Sequence, residues 1–322
     1  MTATLSPPGD VDAPGPGGEV RQSRRDKRRS RANKPPRPPF PVIGWIGLAI
    51  VGVFAALALA APYLSPYRTI ELAGRPLEAP SGSHLLGTNG VGQDVATQLL
   101  SGARVSLFVA LVAGGGTLLI GAILGMVAGW AGGTTDAVLM RIVDLVLVIP
   151  KVPLLIVVGT YAGPGLAMLS LIIALTAWPP TARVVRSQVL SLRRRAHVKA
   201  ALGFGANSAQ ILRHHILPEV GLILVAGFVG AAGRAITFEA GLAFLGLGDP
   251  SRASWGAVLR DSLNFSGLFF TQAWKWWLVP PVVSISVLLL GVTFLGIGLE
   301  QRINPRLVRH QAGAAPRVRG AR

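Results

Sequence analysis

The sequence predicts an all-α integral membrane protein with six transmembrane helices in one domain and a basic elbow between the fourth and fifth. Three observations carry that prediction. Of the 322 residues, 51% are hydrophobic and only 14% charged, with a mean hydropathy of +0.52; soluble domains carry about 25% charged residues. Apolar runs long enough to cross ~30 Å of hydrocarbon recur along the chain. The 31 Lys and Arg, against 14 Asp and Glu, cluster in alternate connecting segments. There is no cysteine, so disulfides, thiolate metal sites and cysteine nucleophiles are excluded.

Residues 1–39 are polar, proline-rich and basic, without apolar periodicity, and read as a disordered tail. Its cluster from Arg21 to Arg31 suits a topology signal beside the first span, with lipid or nucleic-acid binding as the alternative. Phe40 to Ala61 is the first span. Ala58-Leu59-Ala60 resembles a cleavage site, but the run is too long for a signal-peptide core and its leader too long for an n-region.

Five further spans are expected at about 106–130, 138–161, 165–185, 221–247 and 276–299. The fourth meets Trp178-Pro179-Pro180, where a proline pair should kink or break it. Small residues of the second span, Ala113, Gly114, Gly115, Gly116, Gly121 and Gly125, suit close helix packing. No internal repeat of 20–50 residues is visible.

Six spans place both termini on one side. Tail 1–39, Arg141, the stretch Arg183–Arg213 and the tail from Arg302 hold most of the basic residues. The opposite segments hold Arg68, Arg75, Arg104, Arg252, Arg260 and Lys275. The asymmetry assigns the termini and the 183–218 loop to the cytoplasm and the 62–104 segment to the outside. Trp274, Trp276 and Trp277 then fall where an interfacial aromatic belt is expected. Topology thus accounts for the net charge of +17, and no nucleic-acid partner is inferred.

No phosphate-binding G-x-x-x-x-G-K-[ST] loop, H-E-x-x-H or G-x-S-x-G is present. The adjacent His214 and His215 project about 100° apart on a helix and do not form the usual metal pair. No catalytic or metal residue is assigned, and no cofactor is expected on this chain. Intramembrane charges need a partner or a pathway. Lys151, Arg234 and Glu239 are therefore candidates either for pairing with neighbouring helices or for lining a substrate path. Arg234 and Glu239, five apart, are poorly phased to pair with each other.

The segment Arg193–Pro218 reads RRRAHVKAALGFGANSAQILRHHILP. Lys199-Ala200-Ala201 suits a short helix, and Gly203 and Gly205 a sharp turn. Asn207 or Ser208 suits the cap of a second helix, which Pro218 should end or kink. This stretch resembles the coupling loop of importer permeases in the ATP-binding-cassette superfamily. Their pattern is E-A-A, three residues, G, then L-P, here Lys199-Ala200-Ala201, Gly205 followed by Ala206, and Leu217-Pro218. Lys199 stands where the family has glutamate. The bland alternative is a basic helix at the membrane surface.

A second stretch, His84 to Leu107, resembles the pattern of the dipeptide, oligopeptide and nickel permease group, specifically its second permease subunit. Gly87, Thr88, Gly92, Asp94, Gly102, Ala103, Arg104, Ser106 and Leu107 match. Asn89, Gln93, Thr97 and Gln98 depart from charged or hydroxyl residues of that pattern. Read by itself, the stretch is a loop entering the second span with Asp94 as its cap. Three more stretches resemble the group: Met140-Arg141-Ile142-Val143-Asp144, where Arg141 and Asp144 could pair on one face; Glu239 with Phe244–Gly248 and Ser254-Trp255-Gly256; and Gly296, Gly298 and Asn304-Pro305-Arg306. The resemblance spans about residues 40–307, leaving 308–322 as a second basic tail.

The resemblance implies a non-catalytic subunit in a bacterial cytoplasmic membrane, forming half of a translocation pathway by alternating access. It implies a second homologous permease, two ATPase subunits (or one fused) that hold ATP and Mg²⁺, an extracellular or periplasmic substrate-binding protein, and the lipid bilayer as surroundings. Peptides are the expected cargo, with nickel or a metal chelate as the alternative. A secondary transporter and a membrane scaffold remain as alternatives of another class, the first weakened by the missing repeat and scarce buried acids.

Overall fold

The computed structural model describes residues 40–303 except 164. The expected tails 1–39 and 308–322, and the Asn304-Pro305-Arg306 block, lie outside the described residues. The chain is all-α: four helices are long and apolar enough to cross a membrane, and two bent pairs each qualify as a further span.

Helix α1 (Val42–Leu64) follows Pro41, whose ring fixes an extended entry, and ends at Ser65. It lies on the last helix, α11 (Val279–Ile303), through glycines. A Cβ on Gly44 would meet Gly298 backbone, and one on Gly47 the backbone of Gly291 and Leu295.

Helix α2 (Val95–Ala131) is the central post. Asp94 caps it, accepting from Thr97 N–H at 2.7 Å. At 37 residues it is ~55 Å long, well beyond the hydrocarbon thickness. It therefore begins at Val95 rather than 106: hydropathy finds where helix meets lipid, not where helix begins. Its glycines admit neighbours closely, as expected. Gly114 faces Ala232, Gly116 Ala174, Gly121 Thr181 and Gly125 Ala182, while Gly115 faces open space and packs nothing.

Gly132, at φ 69°, turns the chain into α3 (Gly133–Val148). The expected third span is not straight. α3 and α4 (Lys151–Ala162) meet at 85° across Ile149-Pro150. Pro150 cannot donate a backbone hydrogen bond, and it pushes Ile149 to an extended conformation, ψ 124°. The fourth span bends by 45° between α5 (Leu166–Ala177) and α6 (Pro179–Arg193), at the anticipated proline pair, and runs on to Arg193 rather than 185.

Two ion pairs tie α3 to α6, Asp136–Arg186 and Asp144–Arg183. Asp144 thus engages a neighbouring helix, not Arg141. The partner comes from the adjacent helix α6, and Arg141, three residues away on α3, makes no ion pair among the described residues.

A short elbow, α7 (Ala196–Gly203) and α8 (Ser208–Ile211), leads through a π-turn, Leu212–Ile216, into α9 (Leu217–Phe244). The second elbow helix does not end at Pro218. The proline sits in the first turn of α9, where its missing N–H is tolerated, and the wide π-turn just before it keeps the helix continuous. After α9, an amphipathic helix α10 (Trp255–Asn264), capped by Ser254, precedes a π-turn at Trp274–Leu278 and α11.

Residues 65–94 and 245–278 form a cap at the end of the bundle away from the elbow. Its core holds Val95, Val258, Leu268 and Trp277, with Trp274 and Trp276 packed against it. Trp277 is therefore a core residue of the cap, while Trp274 and Trp276 stay partly exposed at its edge. Each indole brings more apolar area to the cap core than the Val and Leu side chains packed with it.

Candidate functional site

The elbow is held on the side of the bundle and bare on the other. Val198, Ile211 and Ile216 are buried against Val185, Val189 and Leu192 of α6 and Val220 of α9. Glu219, in the first turn of α9, accepts from Arg195 at 2.6 Å and lies 3.2 Å from His197. Asn207 accepts from Gln210 N–H while the Gln210 side chain accepts from Asn207 N–H, a reciprocal cap. Between the two helices Gly205 takes φ 81°, a conformation that costs other residues about 1–2 kcal/mol.

Of the residues singled out there, Lys199, Ala200, Gly205, Leu217 and Pro218 are exposed, and Ala201 and Ala206 are half-buried against the elbow core. Leu202 and Phe204 stand beside them, Phe204 with 92% of its surface free. Sequence reasoning missed Phe204. An aromatic between two glycines in a polar loop is the signal that could have found it. His214 and His215 diverge, His214 toward the Gln210 carbonyl and His215 toward the His197 ring, 6.0 Å away between centroids.

Above the elbow lies a groove of about 940 Å³. Its walls are α6 (Pro180, Thr181, Gln188), α9 (Gly227, Gly230, Gly233, Arg234, Thr237) and α11 (Thr293, Gly296, Glu300). The elbow connects α6 to α9, so two of these walls continue directly into it. Arg234 is exposed to the groove, and its guanidinium folds back over Gly230, where a Cβ would stand 3.5 Å from it. Lys151 is the first residue of α4, directly after the bend at Pro150.

Glu239 faces elsewhere. It is 1% exposed, beside Ser254, and its Oε2 has no hydrogen-bond partner among the described residues. Gly256 passes so near Ala240 O that a side chain there would collide. None of Lys151, Arg234 and Glu239 makes an ion pair with a described residue.

The motif at the other end is architectural. Gly87 (φ 65°) and Gly92 (φ 89°) turn the cap loop, with the Glu78 and Gly74 carbonyls where their side chains would be. Thr88 accepts from Glu78 N–H at 2.8 Å and donates to the Arg75 carbonyl at 2.5 Å. Asp94 divides its carboxylate between the α2 cap and buried His84, 3.0 Å away. Gly102 leaves room for the Trp255 indole, whose Nε1 donates to the Leu99 carbonyl at 2.9 Å, and Ala103 is buried beside it. Arg104 is exposed and makes no ion pair among the described residues.

In the loop after α9, Asp249 accepts from Ser251 Oγ and N–H, at 2.6 and 2.9 Å, and from Leu166 N–H at 3.4 Å. The Ser251 hydroxyl above all, then the backbone donors and Arg252, hold its carboxyl below the usual carboxylate range against the opposing effect of burial.

A family profile described as the inner membrane component of binding-protein-dependent transport systems matches residues 121–309. A dipeptide transport system permease protein of Alkalihalophilus pseudofirmus is 36% identical over 266 residues, covering 81% of this chain and 85% of the relative. An oligopeptide transport system permease protein of Bacillus subtilis is 34% identical over 271 residues, covering 82% and 86%. A putative peptide permease protein of Brucella suis is 34% identical over 262 residues, covering 81% and 86%. With the apolar spans, the groove and these matches together, the chain belongs to the family of inner membrane components of binding-protein-dependent transport systems, as a multi-pass permease subunit.

Proposed function

We propose that this chain forms half of the path by which an ATP-driven importer carries peptides across the cytoplasmic membrane. One observation carries the reading. The elbow at Ala196–Ile216 joins α6 to α9, and both helices wall the groove that Arg234 faces. A displacement of the elbow is therefore a displacement of the groove walls, the mechanical requirement for alternating access. Peptide cargo is supported by the matched relatives, which are named for dipeptide, oligopeptide or peptide transport.

In this reading the bare elbow surface, Lys199, Ala200, Leu202, Phe204 and Gly205, docks on an ATPase subunit that supplies ATP and Mg²⁺. Ala201, Ala206, Leu217 and Pro218 shape the turn. A second permease closes the groove, and an external binding protein delivers substrate to the cap. The chain itself performs no covalent chemistry. The elbow end carries Arg193, Arg194, Arg195, Lys199 and Arg213, which supports placing it, with both termini, in the cytoplasm.

The test is co-purification from native membranes beside uptake of a labelled dipeptide. Wild type should bring down an ATPase and a second permease and support uptake. Gly205→Asp should remain in the membrane, keep the second permease and lose both the ATPase and uptake. A wild-type complex without any ATPase, under conditions that preserve other membrane assemblies, removes the importer reading.

A further inference from the structure

Arg104 stands where two cavities of opposite character meet. Below it, a groove of about 440 Å³ between α1, α2, α9 and α11 is lined by aliphatic side chains such as Ala55, Leu59, Leu107 and Leu111. Above it, a pocket of about 380 Å³ is lined by Ser65, Tyr67, Arg68, Thr69 and Ser101. Arg104 is the one residue that lines both. The boundary falls at a defined depth: the apolar groove uses α1 residues 51–59, and the polar pocket uses residue 61 onward, where the apolar run ends. That is the level where hydrocarbon gives way to headgroups. Arg68 and Arg104 thus both line one pocket at headgroup level, where the Arg68 backbone N–H donates to the Glu71 carboxylate at 2.9 Å, and neither guanidinium makes an ion pair among the described residues.

We propose that Arg104 and Arg68 hold the phosphate of an anionic phospholipid in the leaflet away from the elbow, one acyl chain lying in the groove beneath. The chemistry is complementary at both ends. A guanidinium pairs with phosphate through two parallel hydrogen bonds, and the arginine stem lies along apolar surface while its head stays at the interface. Ser101 and Thr69 line the same pocket and bring hydroxyls to the side where a glycerol headgroup extends, while the Tyr67 hydroxyl donates to the Ser83 carbonyl. A zwitterionic lipid presents the same phosphate but brings a cation toward two arginines, so the site selects net negative charge.

The full chain, in the complex purified with it, is exchanged into vesicles of equal phosphatidylcholine and phosphatidylglycerol. It is then released into the gas phase for native mass spectrometry. Phosphatidylglycerol should be retained over phosphatidylcholine, and each of Arg104→Gln and Arg68→Gln should cut that preference roughly fivefold. Leu111→Trp, at an exposed lining position, should lower retention of both lipids by filling the groove. Glycerol phosphate without acyl chains should not displace the bound lipid. Thermal melting of each variant, expected unchanged because all three positions face outward, separates lost binding from lost fold. Equal retention of the two lipids by wild type, or a preference that survives both arginine substitutions in folded protein, overturns the proposal.

Discussion

The side-chain amide of Asn89 donates to Gln93 Oε1 at 2.8 Å, and Gln98 Nε2 donates to that same oxygen at 2.8 Å. Asn89 Oδ1 is already committed to the N–H groups of Val91 and Gln93, and Gln93 Nε2 to the Ile70 carbonyl. Each amide therefore has one orientation. Three of the four positions that depart from the resembled pattern, Asn89, Gln93 and Gln98, thus form one mutually bonded amide cluster. Gln93→Arg alone would set a donor against the Asn89 and Gln98 donors and should cost about 1–3 kcal/mol. Asn89→Asp added to it should recover about 0.5–3 kcal/mol as coupling. Thermal melting of the two variants in detergent checks this, and a double mutant no better than the single one refutes it.

Gly102 and Gly115 lie on the same helix with opposite surroundings. A Cβ on Gly102 would fall into the Trp255 indole, whereas one on Gly115 meets nothing within 4 Å. Gly102→Ala should destabilise by about 1–3 kcal/mol. Gly115→Ala should be neutral or gain up to about 1 kcal/mol in the isolated chain from helix propensity. Denaturation by either heat or detergent ranks them. A Gly115→Ala that melts normally alone but weakens the assembled complex marks that face as one covered by a partner.

The two ion pairs between α3 and α6 differ in exposure. Asp136 and Arg186 have side chains 17% and 31% exposed, and Asp144 and Arg183 are half exposed. Asp136→Ala should therefore be the costlier change. Asp144→Ala should fall below about 1 kcal/mol and fade further in high salt. Melting at low and at high ionic strength resolves the ranking.

Asp249 joins the loop after α9 to the start of α5 through Leu166 N–H. Its depressed pKa means that ionised Asp249 favours the folded loop. That contribution is complete above the ordinary carboxylate range and is lost as pH falls below it, through the lowered folded value. Hydrogen exchange at Leu166 should rise relative to its neighbours only in that acid window. In Asp249→Asn it should be raised at neutral pH and flat across the window.

The six apolar segments and the elbow were legible because each rests on local chemistry: apolar length, the Gly205 turn, the Asn207 cap. The bend at Trp178 was legible for the same reason, because two prolines announce it. The bend at Ile149 was not, since a single Pro150 inside an apolar run is compatible with a straight, locally adjusted span. The partner of Asp144 was equally out of reach. Arg183 is distant in sequence, and only the side-by-side placement of α3 and α6 brings it near. Of the groove, Arg234 could be named but its setting could not. Seeing Gly230 as the space that lets its guanidinium fold back requires α9 to be built and turned toward α6 and α11.

The π-turn at Leu212–Ile216 fixes a phase. Each residue of a helix advances the side chains by about 100°, so chain length between elbow and groove sets which way Arg234 points. Removing one residue from the turn would leave the elbow and every span intact in composition and hydropathy. A π-turn holds one residue more than an α-turn over the same advance, so that deletion would leave an ordinary α-turn and keep the Gly227–Thr237 face toward the α6 and α11 walls, whereas a deletion between Leu217 and Ala226 would rotate the face by about 100°. Between elbow and groove, the π-turn is thus the stretch that absorbs the loss of one residue, while the regular helix beyond it converts any change of length into a rotation of Arg234.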